Sequence, residues 1–131
     1  MGESFSPVFT PPWNRCDQNT LCMLKELKYK AVSRSKKSIP PPPDGLPDFT
    51  VSVDLHTRKE GHPLLGWDGL FSELGSSLSQ SPCGIMIHHQ RMNEAAFVFL
   101  EMFIQALIKQ QHWQLVHFTD LHAVYKNRNS R

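Results

Sequence analysis

The residues best suited to chemistry sit in three short stretches. In FTPPWNR, residues 9–15, two successive prolines stiffen the chain and present Trp13, Asn14 and Arg15 together. An indole face beside an amide and a guanidinium suits a polar ring such as a sugar, and the backbone N–H of Trp13 suits an oxyanion. In VDLHT, residues 53–57, Asp54 and His56 close an alternating run. In IMIHHQ, residues 85–90, His88 and His89 follow an apolar run. Neighbours on an extended chain point to opposite faces, so at most one of these two histidines faces a given site. Each stretch also has a plainer reading. The Pro-Pro-Trp turn reads as a rigid loop with a packed indole, Asp54 as a solvated carboxylate, and a lone strand-end histidine as structural.

Other chemistries find little support. Cys16, Cys22 and Cys83 are odd in number and lack metal-ligand spacing, so they read as reduced thiols. His112 and His117, like His117 and His122, are five apart and do not share a helical face. No metal site is expected within the chain. Charged residues make up 20% of the composition and the formal net charge is +2, with both signs mixed along the chain. That leaves no nucleic-acid footprint and no polybasic membrane patch. The first residues lack the basic start and apolar core of a secretory signal, and no apolar run approaches the roughly 20 residues that span a bilayer. A cytoplasmic protein is expected.

The elements that must position these residues follow from the punctuation. The 131 residues fit one domain, 1–131. SPVFT reads as a strand ended by Pro11 and Pro12. Leu21, Leu24 and Leu27 recur near helical spacing between Asp17 and Tyr29, and KAVS reads as a short strand. A Pro-rich loop spans 34–48. FTVSVDL alternates as a half-buried strand, and Leu70, Phe71, Leu74 and Leu78 mark a helix. SPCGIMIHH reads as a strand buried on both faces. Asn93 caps a long helix whose only polar stripe is Glu101, Gln105 and Lys109, the pattern of a mostly buried helix. WQLVHF reads as a last strand and TDLHAVYK as a helix capped by Thr119. Such alternation predicts an α/β fold with a largely parallel sheet, whose polar residues at the carboxyl ends of the strands form the site.

The first, middle and third stretches, taken in order with their flanks, resemble the carboxyl-terminal half of a polysaccharide deacetylase-like protein of the family-four carbohydrate esterase superfamily. The resemblance spans residues 5 to about 125 and implies part of a distorted (β/α) barrel. It also implies a hydrolase of carbohydrate metabolism in which zinc or another divalent metal activates water against an acetylated sugar. Residue by residue, Pro12 and Trp13 match the family's Pro-aromatic pair, which lines the site, and His88 matches its general acid. Trp13 and His88 are then the catalytic candidates. Pro12, Trp13, Asn14, Arg15, Asp54 and His89 are the candidates for holding substrate.

The departures matter as much. Thr10 stands where the family has an arginine, and Leu55 follows Asp54 where the family often has a tryptophan. The family's Thr-Phe-Asp-Asp and His-x-x-x-His motifs, which supply its base and metal ligands, have no counterpart here. The resemblance thus implies a sugar-amide platform and an acid without the part that activates water, and no hydrolysis by the lone chain. One expectation is a fragment or split product, active when a complementary amino-terminal half supplies the metal, with self-association or that partner covering exposed apolar surface. The alternative is a non-catalytic carbohydrate-binding or structural domain.

Overall fold

The computed structural model describes residues 5–55 and 63–129, which fall into two compact units, Met1–Ile87 and His88–Arg131. In the first unit, strand β1, Val8–Phe9, pairs with β2, Ala31–Val32, and strand β3, Val51–Asp54, pairs with β4, Gly84–Met86. Isolated bridges join Val32 to Asp48 and Ser35 to Val51 between the two pairs. Every pairing among the described residues is parallel, so the strands run side by side in chain order. Their carboxyl ends therefore share one edge. The fold is α/β, as expected, and among the described residues no barrel closes.

Helix α1, Gln18–Glu26, crosses from β1 to β2. Asp17 caps it, its carboxylate accepting from the Thr20 backbone N–H at 2.7 Å. At the far end Tyr29 N donates to Leu24 O and Lys28 N to Lys25 O, a paired closure that needs a left-handed residue, here Lys28 at φ 61°. The helix stops earlier than its leucine spacing predicts. Leu21 and Leu24 are buried with Val32 and Leu46, whereas Leu27 falls at the turn and is 67% exposed.

The crossover from β2 to β3 carries no helix. Its place is taken by the predicted Pro-rich loop, which turns back through Gly45 at φ 86° and buries Leu46 and Pro47. Helix α2, Pro63–Ser77, packs on β3, with Leu70, Leu74 and Val53 all buried. Phe71 lies on its outer side and stacks on Trp67 at 5.8 Å. A bulge at Ser52 shifts the register between Val51 and Val53, and the Ser77 hydroxyl donates to the Ser52 carbonyl at 3.3 Å. Strand β4 is half-buried rather than covered on both faces.

The second unit departs most from expectation. Helix α3, Glu94–Lys109, is capped by the Asn93 side chain as predicted, yet none of its side chains is buried. Phe97, Val98, Met102 and Ile108 are between 49% and 65% exposed. Apolar sequence predicts burial only where a second surface exists to receive it, and the core of buried hydrophobics lies wholly in the first unit. Of residues 113–118, predicted as a strand, 113–117 are irregular and Phe118 opens a helix, because among the described residues of this unit no strand offers them a ladder partner. Helix α4, Phe118–Asn129, starts one residue before the expected cap at Thr119. Its cap position is His117, whose backbone N–H donates to the Asp120 carboxylate at 3.0 Å.

Two predictions follow from these local constraints. A Cβ on Gly84 would collide with the Thr50 carbonyl and crowd the Val51 backbone of the paired strand, and backbone atoms cannot step aside as a flexible side chain can. Gly84→Ala is expected to destabilise the first unit by about 2 kcal/mol or more in urea unfolding. The Thr20 amide hydrogen bond, then that residue's side chain, holds the Asp17 carboxyl below its usual range. A lowered folded value means stability present above the unfolded pKa and lost as pH falls through the folded one. Asn caps without titrating, so Asp17→Asn is expected to show a smaller loss of stability between neutral and acid pH.

Candidate functional site

At the carboxyl end of β2 a charge goes into the core. Arg34 is 1% exposed, and a guanidinium there is tolerable only when its donors are met. Asp48, at the end of the Pro-rich loop, meets most of them. Its Oδ2 accepts from Nε and from Nη2, both at 2.8 Å, and its Oδ1 accepts from the Arg34 backbone N–H at 3.1 Å. Nη1 donates to the Pro40 carbonyl at 2.9 Å. One side chain therefore ties both the far end and the near arm of the loop to β2. The main chain repeats the fastening, Val51 N donating to Arg34 O at 2.7 Å and Val32 N to Pro47 O at 2.9 Å.

The next residue carries this order to β1. The Ser35 backbone N–H donates to Asn14 Oδ1 at 2.9 Å. Asn14 belongs to the single 3-10 turn Pro12–Asn14 that follows β1, closed by Asn14 N to Pro11 O and Arg15 N to Pro12 O, each at 3.1 Å. Trp13 and Asn14 both sit in left-handed backbone, at φ 56° and 57°. For asparagine that conformation is ordinary; for tryptophan it costs roughly 1–2 kcal/mol. The indole recovers little by packing, since Trp13 is 81% exposed. The plainer reading of a packed indole in a rigid loop does not hold.

The expected site residues therefore divide. Pro12, Trp13, Asn14 and Arg15 lie on one turn, Pro12 and Arg15 exposed and Asn14 half-buried. Asp54 ends β3 and is half-buried on the same sheet edge of the first unit. The VDLHT histidine, His56, lies outside the described residues. His88 and His89 belong to the second unit, where His88 is half-buried and precedes a 3-10 turn, His89–Arg91, that carries the exposed His89.

Two of the thiols, Cys16 and Cys83, are not poised for attack. Burial pushes the Cys16 thiol above its ordinary value, with Arg34 pulling weakly the other way, and burial likewise raises Cys83 against the influence of Lys36. A protonated thiol is a poor nucleophile. Among the described residues no group of three or more His, Cys, Asp or Glu gathers as metal ligands do. The donors described do not make up a zinc site.

Sequence reasoning missed Arg34, Asp48 and Ser35. Arg34 and Asp48 flank a Pro-rich loop among other charges, where solvated residues are the ordinary expectation. The available signal was their place, each next to a short apolar run, AVS and LP, that would bury the neighbouring backbone. Compared with models of protein families, with curated proteins and with solved structures, the chain matches none.

The buried pair makes a sharp energetic prediction. Removing one partner leaves the other charge in the core, so Arg34→Met and Asp48→Asn are each expected to cost about 3 kcal/mol in urea unfolding. The double substitution should cost clearly less than their sum. Additive losses would mean that the two side chains are not coupled.

Proposed function

We propose that the chain is the sugar-facing, carboxyl-terminal portion of a polysaccharide deacetylase-like hydrolase, working in the cytoplasm on an acetylated saccharide. What carries the reading is Trp13, an aromatic held in strained backbone at a strand end with its ring turned out to solvent. Strain of this kind, unrewarded by packing, is a mark of a working site. The run of parallel strands in chain order, with the polar turn at their carboxyl edge, is consistent with part of a (β/α) barrel.

In this reading the indole stacks against the apolar face of a pyranose. Asn14 and Arg15, with Pro12 shaping the turn, border the acetamido group, and Asp54 on the same sheet edge is a further substrate contact. The Trp13 backbone N–H lies in the first turn of the 3-10 segment, where amides have no partner inside the turn, and is the donor toward a developing oxyanion. His88 is assigned by resemblance alone as the acid that protonates the leaving amine. The divalent metal and the base come from a complementary polypeptide segment. That segment, or a second copy of this chain, covers apolar surface such as Phe97 and Met102 of α3, both exposed.

The test is calorimetric titration of the full chain with tetra-N-acetylchitotetraose, together with an acetate-release assay on the same sugar in the presence of zinc. The chain is expected to bind without releasing acetate. Trp13→Ala should weaken binding about tenfold, the equivalent of about 1.4 kcal/mol. His88→Ala should leave affinity unchanged, because an acid acts on the transition state rather than on ground-state binding. Absence of binding, or equal affinity in Trp13→Ala, would overturn the saccharide site. Acetate release by the lone chain would overturn the need for a complementary segment, and binding that no such segment converts to hydrolysis would leave a carbohydrate-binding domain.

A further inference from the structure

The saccharide reading makes Trp13 the contact, but Trp13 cannot hold itself. Its left-handed backbone is unfavourable for a bulky residue, and its ring is exposed, so neither conformation nor burial fixes the indole. The two hydrogen bonds inside the turn, Asn14 N to Pro11 O and Arg15 N to Pro12 O, close the turn without orienting it against the sheet. The bond that reaches another strand end is the one from the Ser35 N–H to Asn14 Oδ1.

That donor is unusually well fixed. Ser35 follows Arg34, whose backbone N–H is held by Asp48 and whose carbonyl accepts from Val51 N. Ser35 itself bridges to Val51, so β2 and β3 together set where its N–H points. An acceptor offered to it from the β1 turn is drawn to a defined place. Asparagine answers both requirements of that position, since it tolerates left-handed backbone and its short amide brings an oxygen close to the chain.

We propose that Asn14 is a positioning residue, a latch whose bond to the Ser35 N–H sets the orientation of Trp13 for stacking on the sugar ring. The inference rests on the saccharide reading for its consequence and on the geometry of the turn for its cause. Three substitutions separate the roles of the side chain. Asp keeps an acceptor in the same place. Gly keeps the backbone freedom and removes the acceptor, and Ala removes both.

The experiment uses the full chain carrying Trp67→Phe and Trp113→Phe, so that all tryptophan emission comes from Trp13. Time-resolved fluorescence anisotropy reads the local motion of the indole, calorimetry with tetra-N-acetylchitotetraose reads binding, and thermal unfolding controls for global damage. Asn14→Gly is expected to enlarge the fast depolarisation of Trp13 and to weaken binding about tenfold while the unfolding midpoint stays near that of the parent. Asn14→Asp, which keeps the acceptor and loses the NH2 donor, should hold both readouts within about twofold of the parent at neutral pH, which a role for Asn14 as a direct donor to the sugar would not predict. Asn14→Gly with unchanged anisotropy and affinity overturns the latch. Equal affinity in Trp13→Ala would sink the saccharide reading by itself, and the anisotropy of Asn14→Gly would still decide whether Asn14 holds the ring.

Discussion

The ion pair between Arg34 and Asp48 is the constraint on which the first unit turns. A guanidinium that is 1% exposed must have partners, and the chain supplies them from the two arms of a loop that could otherwise wander. Parallel strands need a long crossover, and a helix usually provides it. Between β2 and β3 a Pro-rich segment does so instead, with no helix and only isolated bridges at its two ends to define its path. The carboxylate of Asp48 and the carbonyl of Pro40, both gathered onto Arg34, replace what regular structure would have given.

From that anchor the order propagates by single bonds. Arg34 and Ser35 are consecutive, so fixing one fixes the amide of the other, and that amide takes the Asn14 side chain. The turn after β1 is thereby referred to the far side of the sheet edge. Strain in Trp13 can persist there because surrounding structure over-determines it. The exposed indole, the strained turn and the buried salt bridge are one arrangement, in which stability is spent at the core to hold an aromatic ring in water.

What the amino-acid order made legible was the part governed by local rules. Pro11 and Pro12 end β1, Asn93 caps its helix through its side chain, and the alternating residues 49–55 contain the strand Val51–Asp54. The parallel arrangement was also foreseeable from alternation of element types. What escaped was set by tertiary partners. Leu27 obeys the leucine spacing but falls on a turn governed by Lys28, and the apolar sequence of α3 finds no covering surface in its own unit. Residues 113–117 have strand-like composition without a neighbouring strand. Trp13, Asn14 and Arg15 stood out by their types, whereas Arg34 and Asp48 looked like two charges beside a loop, because burial is not written in a residue's identity.

Native-state hydrogen exchange of the Arg34 and Ser35 amides, followed by NMR at neutral pH, decides whether the buried pair fixes the strand ends. Both lie beyond the last residue of β2, where a strand end would ordinarily fray. If the ion pair and the Asn14 bond organise the site, these two amides will exchange as slowly as those of Val32 and Val51. Exchange near the rate of an unstructured chain, with Val32 still protected, would contradict the claim that the buried pair fixes the strand ends.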